Sequence, residues 1–330
     1  MSYYIKGNKL LNNRVLRKNI DKNIISNHIN ISTTNRLIGK DPVTSMNVYS
    51  SQNPYGGVGD AGIWTRNSNC WLNGVSNISC LSPAQLSGAS WWQRSGTLIT
   101  RKHALFAKHF LPGILSEGTP LIFVDENNNA IKRNIIQYGY DTTDLAIALL
   151  DSEVPSNIKV AKVLPTNFVD YVNVSPFLGW ENQELIDING FWLKDSFLYS
   201  VCLDQEEKAS IKLWMGSGRG SSSGTPIGIA QFYRTNVLWN NGNLPNPLAT
   251  PYLSDINSWN ISLGAGDSGN PALLIIDNEL VVLTVWSSTT SGNFITSRYN
   301  EVNNIIENLS PGQGYSLTPV DLAAVYSKYA

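Results

Sequence analysis

Apolar positions along the first 45 residues recur at near-helical spacing. Leu11, Val15, Leu16, Ile20, Ile24 and Ile25 fall at that spacing, which predicts a surface helix or a loose extension packed on a larger body. From residue 46 to about 90 the pattern breaks up into Gly, Ser, Asn and Pro, an irregular lead-in. From Gly96 onward the texture changes again. Short apolar runs separated by turn residues, at Thr97–Ile99, Ala104–Ala107, Leu121–Val124, Leu145–Leu150, Ile227–Tyr233, Ala272–Ile276 and Leu280–Trp286, read as strands. Asp277-Asn278 between the last two predicts a tight hairpin. Helical patterns return at Val302–Leu309 and again from Thr318-Pro319, with Thr as N-cap and Pro at the first helical position. There is no internal repeat. Many short strands with a helical tail predict an all-β barrel or sandwich class.

Composition agrees with that class. Twenty-six glycines and fifteen prolines among 330 residues supply turns, and 42% hydrophobic against 15% charged residues is an ordinary globular balance. The net charge of −1 gives no electrostatic case for nucleic acid. The charge is unevenly placed, however. Residues 1–40 hold eight basic side chains and a single acid, Asp21, so a basic prefix precedes an acidic body. Three cysteines (Cys70, Cys80, Cys202) are too few for a disulfide-dense secreted domain. A Cys70–Cys80 bridge would leave Cys202 unpaired, and no Cys/His spacing predicts a metal site. No signal peptide pattern and no transmembrane run is recognisable, so the compartment is open, the cytoplasm or a viral particle included. Asn77-Ile78-Ser79 is a glycan acceptor only in a glycosylating pathway.

One segment carries chemistry on its face: Gly266-Asp267-Ser268-Gly269-Asn270-Pro271, preceded by Ser262-Leu263-Gly264-Ala265. A nucleophilic serine needs a sharp turn and backbone N–H groups aimed at a developing oxyanion, and flanking glycines permit both. An ordinary glycine-rich turn would read the same, so its partners decide. The chain has three histidines, His28, His103 and His109, and all precede Ser268. An α/β-hydrolase needs its histidine after the nucleophile, which excludes that fold as the source of a triad.

Gly96-Thr97-Leu98-Ile99, then a turn, then Ala104-Leu105-Phe106-Ala107-Lys108-His109, resembles the histidine motif of the chymotrypsin/trypsin family: a strand, a turn, an apolar strand and Ala-x-His. The alignment runs without a gap and places the imidazole at His109, with His103 and His28 in non-catalytic positions. The family sets its carboxylate at the head of an apolar strand. Thr143-Asp144-Leu145-Ala146-Ile147-Ala148-Leu149-Leu150 matches, and Asp141, the nearby competitor, lacks a strand directly after it. Val281–Ser287 resembles the strand ending near a tryptophan beside the specificity pocket, Gly292-Asn293-Phe294 the next pocket wall, and the helix after Val302 the C-terminal helix. The resemblance spans roughly residues 90–309.

The resemblance implies two antiparallel six-stranded β-barrels with a C-terminal helix and an N-terminal extension. The expected divisions are 1–45 (basic extension), 46–90 (lead-in), 91–190 (first barrel), 191–309 (second barrel with its helix) and 310–330 (helical tail). It implies a serine endopeptidase with Ser268 as nucleophile, His109 as base, Asp144 as the orienting acid and the N–H groups of Gly266 and Ser268 as oxyanion hole. Ser262, Trp286, Ser287 and Gly292 would line the substrate pocket. Neutral Ser262 at its base implies an uncharged side chain before the scissile bond. A polypeptide is the implied partner, and no cofactor or metal is required.

The sequence departs from the family at several points. Phe110 stands where a cysteine is usual, the pocket disulfide is missing, Asn270 and Ser287 replace glycines, and Arg36-Leu37-Ile38-Gly39 only faintly resembles an activation site. The basic extension reads as a propeptide, as an element docking on a partner, or as a site for an acidic ligand. The competing function is an idle protease-fold module, binding or structural, for example in a viral assembly.

Overall fold

A computed structural model describes residues 20–57, 60–85, 96–111, 115–172, 198–219, 226–233, 256–264, 266–287 and 291–330. Most of the basic prefix, with Leu11, Val15 and Leu16, and the expected boundary at residues 190/191 lie outside the described residues.

Six strands make the first sheet: β3 (Ala84–Gln85), β4 (Thr97–Thr100), β5 (His103–Ala107), β6 (Pro120–Val124), β7 (Ala130–Tyr140) and β8 (Leu145–Leu150), in the order β3-β6-β7-β8-β5-β4. The chain segment 81–85 then closes it. Ala84 pairs with Ile122 on one edge, while Leu81 bridges Thr97 and Ser82 N–H donates to Gly96 C=O (3.1 Å) on the other. A closed sheet has no free edge. All six residues of β8 are buried. One face looks into the barrel. The other is covered by helix α3 (Tyr299–Leu309), whose Val302, Ile306 and Leu309 form the buried stripe. Gly139 on β7 permits that approach, because a Cβ there would sit 2.6 Å from Ile305 Cγ2.

The second sheet runs β15-β12-β11-β10-β13-β14-β9, from β9 (Lys162–Val163), β10 (Leu198–Leu203), β11 (Ala209–Arg219), β12 (Pro226–Tyr233), β13 (Pro271–Ile276), β14 (Glu279–Val285) and β15 (Ser291–Asn293). Six strands are antiparallel, as expected. The seventh, β9, joins β14 in parallel and adds to the anticipated six. The sheet curls until β15 meets β14, where Thr284 Oγ1 donates to Asn293 C=O (2.7 Å). Period-two alternation sorts the side chains of β13 between two apolar clusters. Leu273 and Ile275 join the larger cluster shared with the first barrel. Ala272, Leu274 and Ile276 join Trp214, Trp286 and Phe294, together with Ile25 and Ile29 of helix α1 (Lys22–Asn35). The Asp277-Asn278 hairpin forms with both residues in the left-handed region (φ 50° and 67°), the signature of a two-residue primed turn.

Two elements differ from expectation. The lead-in is a strap rather than an irregular prefix. Beyond the short helix α2 (Pro42–Ser45), β1 (Tyr49–Asn53) pairs with β2 (Ile63–Arg66). Arg66 Nε donates to Asp125 C=O (3.0 Å) in the first barrel, Trp71 Nε1 to Ala209 C=O (2.8 Å) in the second, and Asn77 bonds Val160 and Leu280. The last helix, α4 (Leu322–Tyr329), starts three residues later than the Thr-Pro signal suggests. Thr318 C=O accepts from Val163 N–H (3.0 Å), so the backbone there extends β9, and Asp321 caps the helix through Ala324 N–H. All three cysteines are free and buried, so Cys70 and Cys80 are not bridged. No described helix is long and apolar enough to cross a membrane.

Candidate active site

The register of β5 against β8 assembles the first half of the site. Ala107 pairs with Leu145, so the residues just after β5 lie beside the residue just before β8. The chain leaves β5 in a single 3-10 turn, Lys108–Phe110, and Lys108 N–H donates to Asp144 C=O (2.9 Å). The Asp144 carboxylate then grips His109 twice. Oδ1 accepts the backbone N–H (2.8 Å) and Oδ2 contacts ring Nδ1 (2.7 Å). With Nδ1–H donated to the carboxylate, Nε2 is left as a proton acceptor, the tautomer a general base requires. The His109 side chain is 44% exposed and Asp144 23%, so the pair is reachable from solvent. Asp141, the competing acid, turns back on its own loop, accepting from Thr143 N–H (2.7 Å) and Oγ1 (2.6 Å).

The second half is a loop built on Asp267. This side chain is 5% exposed, and both its oxygens are bonded, Oδ1 by Gln205 N–H (2.8 Å) and Oδ2 by Gly264 N–H (2.6 Å). Burial pushes its carboxyl above the usual range, and those two amides oppose the push. Gly266 (φ 101°) and Gly269 (φ 82°) occupy the left-handed region that only glycine adopts without strain. The turn is docked on β14 by Gly269 N–H to Trp286 C=O (2.9 Å) and Trp286 N–H to Asn270 C=O (2.9 Å).

The two halves meet through Gly269. A Cβ on that residue would stand 2.7 Å from Phe110 Cε2 and 3.6 Å from Ala107 N, so the serine turn rests on the residues bracketing His109. Phe110 is buried, and its ring lies edge-on to the imidazole at 5.0 Å between centroids. Ser268 is half-buried, and no hydrogen bond joins its hydroxyl to the His109 ring.

The expected pocket residues divide. Trp286 is buried beside the serine turn, Ser287 Oγ accepts from Asn293 Nδ2 (3.4 Å), and Gly292 lies so close to Val285 C=O and Thr284 that any side chain would collide. Ser262 is exposed on the separate 260–264 segment, which is anchored by a residue the sequence reading missed. Lys212 of β11 is 3% exposed and donates to Ile261 C=O (2.7 Å) and Asn260 Oδ1 (3.2 Å). A lysine between buried Ile211 and Trp214 was the available signal, since a buried cation requires nearby acceptors. Gln205, which caps Asp267 with a backbone amide, left no signal in its side chain.

His103 and His28 serve elsewhere. His103 is fully buried, with Nδ1 on Thr100 Oγ1 (2.7 Å) and Nε2 on Ser310 Oγ (3.1 Å), and burial depresses its pKa to about 4. His28 stacks on Tyr329 and accepts from Asp277 N–H (3.3 Å).

No protein-family model matches the chain, and no curated protein matches it by sequence. Solved structures similar to it include kallikrein-related peptidase 10 in complex with Zn2+, at 12% identity and a TM-score of 0.40, covering 71% of this chain and 97% of that one. A second structure of kallikrein-related peptidase 10 matches at 14% identity and a TM-score of 0.39, over 70% and 96% of the two chains. A mutant of human heparin binding protein (CAP37) matches at 10% identity and a TM-score of 0.42, over 73% and 96%.

Proposed function

We propose that the protein is a serine endopeptidase. The observation that carries this reading is the double grip of Asp144 on His109, set against a serine turn that rests on Phe110. In this reading Ser268 Oγ attacks the carbonyl carbon of a peptide bond while His109 Nε2 takes its proton. The new C–O bond pushes the carbonyl electrons onto oxygen, where the N–H groups of Gly266 and Ser268 stabilise the negative charge. The resulting imidazolium, stabilised by Asp144, gives its proton to the departing amine as the C–N bond breaks. Water then repeats the sequence on the acyl ester and frees Ser268. Substrate entering the cleft would draw Ser268 and His109 into hydrogen-bond contact.

The resemblance sets Ser262 at the pocket base, where a neutral hydroxyl would offer no partner to Lys or Arg, so an uncharged side chain before the cut is the preference we infer from the sequence, although the structure leaves Ser262 exposed on the 260–264 segment. Digestion of a mixed peptide library tests both statements. Cleavage that disappears in Ser268→Ala is expected, with uncharged residues before the cut. Cleavage that persists in that variant refutes the mechanism, and a strict Arg or Lys preference refutes the pocket assignment. A correctly folded protein that cuts nothing would instead be an idle module on the same fold.

A further inference from the structure

Two charged groups that the proposed chemistry does not consume hold the serine turn from behind. Asp267, buried beneath Ser268, spends both oxygens on Gln205 and Gly264 N–H groups. Lys212, equally buried, places its ammonium in the same loop, on Ile261 C=O and Asn260 Oδ1. The connection is continuous: Lys212 fixes 260–261, that segment delivers Gly264 N–H to Asp267, and Asp267 sets the backbone of Gly266 and Ser268. Lys212 also favours the ionised form of Asp267 through space, while Glu206, on the turn that carries Gln205, disfavours it.

In the trypsin-like family that the sequence resembles, the acid before the nucleophile pairs with a new amino terminus made by cleavage, and Arg36-Leu37-Ile38-Gly39 is the segment that faintly resembles a source. That segment is built into the body. Arg36 closes α1 and donates to Asn73 C=O (3.1 Å), Trp71 C=O (3.4 Å) and Asn278 Oδ1. Leu37 is 1% exposed, its N–H bonded to Thr34 C=O (3.0 Å) and its C=O to Lys40 N–H (3.1 Å). Helix α1 before it is pinned in turn, with Asn30 Oδ1 accepting from Tyr199 N–H (2.9 Å) on β10. Freeing an amino terminus here would strip these contacts, and Asp267 already has partners.

We propose that Lys212 and Asp267 form an internal positioning pair that organises the serine turn in the uncut chain, so that residues 36–39 are a structural corner and not a processing site. This rests on the endopeptidase reading. Lys212 is a positioning residue, acting through the 260–264 segment and Asp267 on the direction of the Gly266 and Ser268 N–H groups.

The test is reaction of the full-length chain with a fluorophosphonate, read by intact mass. The expected result is a single adduct on chains uncut at residues 36–39, at a rate unchanged by deliberate cleavage there. Lys212→Met should slow the adduct at least tenfold. In an Asp267→Asn background the same substitution should slow the reaction by less than about twofold more, because the positioning acts through Asp267. An equal loss in both backgrounds, the behaviour of a lysine that serves the fold alone, would overturn the pairing. An adduct confined to chains beginning at Leu37 or Ile38 would overturn the proposal while leaving the endopeptidase reading intact. No adduct on folded protein, cut or uncut, would overturn both. Should Lys212→Met fail to fold, the intact-mass result on the unaltered chain decides by itself.

Discussion

Strand β5 begins with one histidine and ends beside another, and the two could hardly differ more. At its start His103 is sealed in the barrel wall, both ring nitrogens tied to hydroxyls of Thr100 and Ser310. Burial disfavours the imidazolium, and the two hydroxyls offer no charge to balance it, so the ring stays neutral well below the ordinary histidine range. Just past the end of the strand, His109 is half-exposed and faces a carboxylate that fixes Nδ1 and leaves Nε2 open. One histidine is a tie between barrel and C-terminal segment. In the proposed function the other picks up a proton. Burial and the chemical nature of the partner, far more than residue type, separate a structural imidazole from a reactive one.

The sharpest way to break this contrast is at the reactive end. Ser268→Ala or His109→Ala should lower peptide hydrolysis by about 10⁵- to 10⁶-fold, measured on any cleaved peptide. The melting temperature should scarcely move, since the His109 side chain is 44% exposed. Asp144→Asn should cost about 10⁴-fold in turnover, because an amide no longer selects the productive tautomer.

At the structural end the effect is on stability and its pH dependence. The folded-state pKa of His103 is lowered to about 4 from 6.5. Its neutral form is therefore not penalised above pH 6.5, and stability is lost as pH falls from 6.5 toward 4, because the unfolded chain takes up the proton first. Linkage sets that loss at roughly 3 kcal/mol. Denaturant unfolding across this range should show it, and His103→Gln should flatten the limb while leaving hydrolysis above pH 6.5 in place. The smallest effect belongs to the contact joining the two halves of the site. Gly269→Ala forces a methyl into Phe110 and strains φ 82°, for about 1–3 kcal/mol of stability. Phe110→Leu in the same chain should recover part of it in a double-mutant cycle.

Much of this contrast could be read from the sequence, for identifiable reasons. The strands β4, β5, β8, β13 and β14 are short, nearly pure apolar runs punctuated by turn residues, so their ends could be read directly. His109 and Asp144 sit at such ends, and strand pairing did the rest. Other strands were hidden. In β7 most of the eleven positions are only partly buried, because one side of the strand lies near solvent, and its sequence shows no alternation. In β10 and β11, Ser200, Lys212 and Ser210 are buried polar residues, each paired within the fold, that interrupt the apolar signal. Strands of two residues, such as β3 and β9, are defined by what they pair with and have no pattern of their own. The supports of Asp267 escaped for a related reason. They are backbone amides, and a backbone amide is the same at every position.

The most direct test of the central claim is to locate a fluorophosphonate adduct by peptide mapping in the unaltered chain, in His109→Ala and in Asp144→Asn. The account predicts modification at Ser268 in the unaltered chain, none with the imidazole removed, and a strongly slowed reaction with the amide at 144. An adduct on a different side chain, or an undiminished rate at Ser268 without the imidazole, would contradict it.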